Sequence, residues 1–189
     1  MEFKIIEDAI NPLLLNSLCA SWPDASSRFW HHYSGKNAEK YASKSHTDLP
    51  EIAKLCTIEM IKRITPSVDC NVFPDMEFHG AGLHMIPSGG YLRRHLDSSL
   101  MESTGWKREY SCVLSVNKHW QDDYGGAFVL GDTEILPKFN QFLQFSLISE
   151  PGLLSSKYGL PLLDVQTLSD TNEEPNLELG WDQFLSMDD

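Results

Sequence analysis

Gly80-Ala-Gly-Leu-His-Met-Ile-Pro-Ser-Gly-Gly-Tyr-Leu-Arg-Arg-His-Leu-Asp97 decides the reading of this 189-residue chain. The stretch ends in His95-Leu96-Asp97, an imidazole and a carboxylate two positions apart. On a strand, residues i and i+2 point to the same face, so one nitrogen and one oxygen donor can reach one metal ion. His-x-Asp is a short pattern and weak by itself. Gly89-Gly90 permits a sharp turn just ahead of it.

The chain around this stretch is patterned as short strands. From Arg108 to Asn117, Tyr110, Cys112, Leu114 and Val116 share one face, while Ser111, Val113, Ser115 and Asn117 share the other. That alternation predicts a strand with one core face. Gly125-Gly126 predicts a turn or bulge, Ala127–Leu130 a strand, Gly131-Asp132 a turn and Phe139–Ile148 another strand. Leu162, Leu163, Val165 and Leu168 suit one more.

Residues 1–66 read as mainly helical. Asn11-Pro12 starts one helix, with Leu13, Leu14, Leu15 and Leu18. Thr47 or Asp48 caps a second, with Pro50 in its first turn and Ile52, Leu55, Ile58, Met60 and Ile61 at helical spacing, and Pro66 stops it. The polar stretch Tyr33–Ser45 reads as a loop, a candidate lid. Short strands after a helical start predict an α+β, mainly β architecture, a sandwich or barrel buttressed by N-terminal helices. The organisation expected is one domain: a helical buttress over 1–68, a β core over 69–168 and an acidic C-terminal segment over 169–189. From Tyr158 onward there are eight acidic residues and no Lys or Arg. Leu177, Leu179, Trp181 and Phe184 give that segment a means of docking.

A formal net charge of -12 argues against nucleic acid or an anionic membrane surface as main partner. Cys19, Cys56, Cys70 and Cys112 form no C-x-x-C pair and read as reduced, mostly buried thiols. With no apolar leader after Met1, the expected location is cytoplasmic.

Six further pieces follow in order and make the central motif specific: Gly82-Leu83-His84, Gly89-Gly90-Tyr91, Val116-Asn117 with Trp120, Gly125-Gly126-Ala127, Pro137-Lys-Phe-Asn140 and Phe145. Together with His95-Leu96-Asp97 they resemble the prolyl-4-hydroxylase-like branch of the iron(II)/2-oxoglutarate oxygenases, from about Pro74 to Phe145. The resemblance implies a double-stranded β-helix (jelly roll), iron(II) and 2-oxoglutarate as cofactors, and hydroxylation of a prolyl or other amino-acid side chain in a peptide or small molecule. It implies His95 and Asp97 as metal ligands and Tyr91 as a hydrogen-bond partner of the co-substrate.

The family pattern then breaks. In the family a histidine follows the Phe strand as third ligand, and an Arg or Lys about ten residues later binds the far carboxylate of 2-oxoglutarate. This chain has no His after His119 and no Arg after Arg108. Glu150 and Lys157 stand nearest those places, as candidate third ligand and candidate cation. His84 reads as a satisfied core or pocket histidine, His119 as a solvated loop residue, Arg93 as an exposed strand charge, and His31, His32 and His46 as surface residues. Two other readings stay open: an inactive member of the fold that binds a ligand or protein, and a cupin-like metal-binding barrel.

Overall fold

A computed structural model describes residues 3–68, 72–79, 81–95, 105–121, 124–130, 132–146, 163–166 and 176–186. The N-terminal part holds β1 (Phe3–Ile6), α1 (Pro12–Ala20), β2 (Trp30–Gly35), β3 (Ala38–Ser43) and α2 (Glu51–Ile64). Then come β4 (Phe73–Pro74), β5 (Ala81–Ile86), β6 (Tyr91–His95), β7 (Lys107–Ser115), β8 (Ala127–Leu130), β9 (Thr133–Ile135), β10 (Gln141–Ser146), β11 (Leu163–Gln166) and β12 (Asn176–Ser186). Hydrogen bonding runs in the order β1-β10-β7-β12-β5-β3-β6-β11-β8-β9. β3 joins the two halves along one edge, pairing with β5 through Tyr41 and Ala42 and with β6 through Ala38 and Glu39.

Two apolar layers show how the halves face each other. Ile86 of β5 and Leu143 and Phe145 of β10 pack against Phe128 and Leu130 of β8 and Ile135 of β9. This is the inside of a two-sheet jelly roll. On the other face of β5, β7 and β10, Leu83, Cys112, Leu114 and Phe142 pack with Leu15 and Leu18 of α1 and Ala53, Cys56, Met60 and Ile64 of α2. The helices therefore buttress one sheet, as expected of an α+β chain with a double-stranded β-helix. β7 was expected to have one core face. Both are covered, because Ser111 and Ser115 are buried opposite the helix side.

Both expected helices form. In α1, the Asn11 side chain accepts the Leu13 N–H at 2.9 Å, and Pro12 takes the first helical position. In α2 the expected cap is corrected: Pro50 is the N-cap, with no side-chain cap. Thr47 and Asp48 lie instead in a 3-10 turn whose cap, Ser45, accepts the Thr47 N–H at 3.2 Å. Leu55 is half exposed, while Ala53, Cys56, Met60 and Ile64 form the inner stripe.

The expected segmentation needs three corrections. Residues 1–68 are not a purely helical buttress, since β1 pairs with β10 from Phe3↔Phe145 to Ile6↔Phe142. Tyr33–Ser45 is not a loop. Most of it belongs to the β2–β3 hairpin, which pairs Trp30↔Ser43 through Gly35↔Ala38 around a two-residue turn at Lys36-Asn37. Ring stacking of His32 on Tyr41 at 4.4 Å and the Ser34 hydroxyl donated to Glu39 at 2.7 Å supply the cross-strand contacts that Val and Ile more often provide. The acidic segment given Leu177, Leu179, Trp181 and Phe184 to dock it does so as a full strand within the sheet, beyond the expected end of the β core at 168. β12 lies between β5 and β7, with Leu179 level with Leu83 and Leu114. Its alternating Leu177, Leu179 and Trp181 supply the strand pattern among acidic neighbours.

Cys56 and Cys112 are buried and Cys19 is partly buried, all as free thiols, while Cys70 lies outside the described residues. Burial, then the charges of Glu59 and Cys19, push the Cys56 thiol up to about 12. The folded value exceeds the unfolded one, so this contribution to stability is complete below about pH 9 and is lost as pH rises toward 12. A thiol reagent at neutral pH is expected to label Cys56 only after urea unfolding. Labelling of Cys56 in the native protein, read by mass spectrometry, would contradict its placement in the helix layer.

Candidate metal centre

The turn that delivers the motif strand depends on two glycines. Gly89 has a φ of 72°. At Gly90 an added Cβ would lie 2.6 Å from the Glu39 carbonyl and 2.7–2.8 Å from Pro87, contacts that only glycine avoids. The Gly90 N–H closes the turn on the Pro87 carbonyl at 2.8 Å. β6 then runs along β3, with the Arg93 N–H donated to the Asn37 carbonyl at 2.9 Å.

His95 ends β6. Its Nδ1 lies 2.9 Å from the Arg93 carbonyl. A carbonyl can only accept, so Nδ1 carries a proton. That orienting hydrogen bond is of the kind a metal-binding imidazole uses. His95 therefore fits a metal donor. Asp97, Glu150 and Lys157 lie outside the described residues.

The neighbouring strand adds a fact that sequence reasoning missed. β11 pairs antiparallel with β6, and Leu163 is the register partner of His95. The next pair, Val165 with Leu92, is shifted in register, so the two strands depart from regular pairing beside His95. Val165 aligns with Phe128, whose ring belongs to the interior layer. On β12, Asn176, Glu178 and Gly180 align with Ile86, His84 and Gly82 of β5, and the strand has no Lys or Arg. Among the described residues no three His, Cys, Asp or Glu side chains are grouped to hold a metal ion.

The remaining candidates fall as follows. The Tyr91 hydroxyl is donated to the Gly35 carbonyl at 2.7 Å, which ties β6 to the hairpin. Arg93 is exposed, with its guanidinium 5.9 Å from the centre of the Tyr91 ring. His119 is exposed in the loop after β7. The Trp120 Nε1–H is donated to the Gly125 carbonyl at 3.0 Å, and Gly125 and Gly126 both have positive φ. Those two contacts shape the turn into β8. The Pro137–Asn140 piece has a structural role. Asn140 sits at φ 62° and holds both backbone groups of Ile10 with its side chain. His46, expected at the surface, is instead partly buried with its ring 5.2 Å from that of His79, a residue the motif reading passed over. His84 is partly buried beside them, as a pocket histidine.

Comparison with known proteins agrees with the fold. Residues 81–150 match the model of the 2OG-Fe(II) oxygenase superfamily. No curated protein matches in sequence. Among solved structures, a Pseudomonas putida prolyl-4-hydroxylase is similar, with a TM-score of 0.67 and 17% identity over 98% of this chain and 93% of that one. The viral collagen prolyl hydroxylase from Paramecium Bursaria Chlorella virus-1, solved with 2OG, gives a TM-score of 0.60 and 13% identity over 99% and 97%. HygX from Streptomyces hygroscopicus, with nickel, 2-oxoglutarate and hygromycin B bound, gives 0.58 and 7% identity over 95% and 82%. The chain thus has the double-stranded β-helix of the 2OG-Fe(II) oxygenases, and the resemblance seen in its motifs extends to the whole fold.

Proposed function

We propose that this chain, built on the fold of the prolyl-4-hydroxylase-like 2OG-Fe(II) oxygenases, is an iron(II)- and 2-oxoglutarate-dependent oxygenase that hydroxylates a prolyl or other amino-acid side chain. The observation that carries the reading is His95, at the end of β6, with its ring oriented by the Nδ1–H bond to the Arg93 carbonyl, the kind of bond that orients a metal-binding imidazole. His95 and Asp97 would hold the metal. Iron(II) with 2-oxoglutarate would supply the oxidising power for insertion of oxygen into a C–H bond, with release of succinate and carbon dioxide. The protein's own contribution is placement and dryness. The Arg93 carbonyl fixes the His95 ring, and the layer of Ile86, Phe128, Leu130, Leu143 and Phe145 keeps water from the space between the sheets. A carboxylate at Asp97 suits hydroxylation over halogenation, which needs that position for halide.

The substrate is a peptide or small molecule. Among the solved relatives one binds a peptide fragment of hypoxia inducible factor and another hygromycin B, so the fold serves both. The test is succinate release from 2-oxoglutarate by the purified protein with iron(II) and air. Release that depends on His95 and Asp97 supports the proposal, and its absence with iron loaded speaks against it.

Two observations favour a second reading, a ligand-binding member of the fold without turnover. Leu163 stands in register with His95, and β12 carries no cation. Saturable 2-oxoglutarate binding without succinate release would select that reading. A metal other than iron, with no response to 2-oxoglutarate, would select the cupin-like one.

A further inference from the structure

A cleft of about 310 Å³ opens where β3 joins β5, lined by Tyr33, Ser43, Lys44, His46, His79 and His84. It lies outside the His95 motif. In a chain with a net charge of -12 it gathers one lysine and three imidazoles. The carboxylate paired with His79, Asp75, is turned away from solvent, its side chain 0% exposed. Asp75 accepts the Glu77 N–H at 2.9 Å and the His79 N–H at 2.6 Å, and both its oxygens lie 3.2 Å from Nδ1 of His79.

This arrangement holds the His79 ring in a fixed orientation. Nδ1–H points to Asp75, and Nε2 is on the opposite side of the ring. The His46 ring lies 5.2 Å from it, inclined by 55°. Ser43 accepts the Leu83 N–H at 3.2 Å, which leaves its own hydroxyl proton to donate. Gly82 keeps the floor open. A Cβ there would come within 3.1 Å of Ser43 Oγ and 3.3 Å of His84 Nε2. The imidazoles are not grouped closely enough to share one metal ion. They suit a ligand with several oxygen atoms.

We infer that this cleft binds a small oxyanion, the carboxylate or phosphate group of an acidic molecule. Lys44 supplies the permanent charge, His79 the oriented ring donor, His46 a second imidazole beside it, and Ser43 a hydroxyl. The inference does not rest on the oxygenase reading, since Ser43, Lys44, His46 and His79 lie outside the stretch that leads to His95. Donation from Nε2 of His79 requires the doubly protonated ring, because Nδ1–H is already given to Asp75. The titratable and charged groups facing the cleft are Tyr33 from β2, Lys44 and His46 from the segment after β3, His79 and Asp75 from the segment before β5, and His84 from β5, with Glu178 of β12 level with His84.

The experiment uses the full chain with nitrogen-15 histidine, titrated with inorganic phosphate and separately with succinate at about pH 6 and about pH 8, either side of the ordinary imidazole range near 6.5. The expected result is a saturable shift of the His46 and His79 ring signals with one of the two anions, about tenfold weaker at the higher pH. Saturation by phosphate alone identifies a phosphate-type ligand, and saturation by succinate a carboxylate-type one. His79→Gln should weaken binding by about tenfold, and Lys44→Ala, at an exposed position where folding is not at issue, by a similar factor. No saturable shift with either anion, or unchanged affinity in Lys44→Ala, would overturn the inference.

Discussion

Asn140→Ala is expected to lower the stability of the fold by about 3–7 kcal/mol. The residue is 2% exposed and makes the joint between the N-terminal segment and the β-core. Its Oδ1 accepts the Ile10 N–H at 3.1 Å, and its Nδ2 donates to the Ile10 carbonyl at 2.9 Å. Its backbone adds two more ties, accepting the Ala9 N–H at 3.1 Å and donating to the Ser115 carbonyl at 3.0 Å. Removing the side chain leaves two buried backbone groups unmatched, at about 1–3 kcal/mol each. Alanine also adopts φ 62° less readily than asparagine, a further cost of about 1 kcal/mol. Asn140→Gly relieves the second cost and not the first, so it should fall between wild type and Asn140→Ala. Urea denaturation followed by far-UV circular dichroism measures both. A midpoint for Asn140→Ala equal to that of wild type would refute this account of the joint.

Leu163→His should tighten iron(II) binding by about a hundredfold, ~2.7 kcal/mol. The pairing of Leu163 with His95 across β11 and β6 is the reason. Opposed Cβ atoms on one face of an antiparallel pair lie about 4.5–5.5 Å apart, close enough for two imidazoles to share an ion. The His95 ring is already oriented by its Nδ1–H bond to the Arg93 carbonyl. A second imidazole at 163 supplies a donor that the leucine cannot. Leu163→Ala is the control, changing size without adding a donor, and should leave affinity unchanged. Equal affinity in Leu163→His and Leu163→Ala would show that position 163 does not face the metal.

Much of this was legible in the sequence where local chemistry and tertiary context agree. The alternation from Arg108 to Asn117, the Asn11-Pro12 helix start and the glycine pairs each carry their own signal, and each is found in place. The β2–β3 hairpin was not legible. Its residues are polar and rarely β-branched, and ring stacking and a Ser-Glu hydrogen bond across the strands support it instead. β12 was obscured by acidic composition, although Leu177, Leu179 and Trp181 alternate within it. The role of Asn140 could be recognised as part of a pattern, but its partner Ile10 is 130 residues away and no local signal connects them. At the candidate site, His95 was evident from its motif. The Leu163 register depends on which strand lies beside it, and that is a property of the jelly roll rather than of any short segment. The Asp75–His79 pair is an i, i+4 spacing in a non-helical segment, where such spacing predicts no contact.

In the proposed function His95 anchors an iron(II)/2-oxoglutarate site. Anaerobic titration of the purified chain with both cofactors probes that site through the weak visible charge-transfer band of the chelate. A saturable band is expected, lost in His95→Ala and in Asp97→Ala while the circular dichroism spectrum is retained. No band in the folded wild-type protein, or a band that persists in His95→Ala, would contradict it.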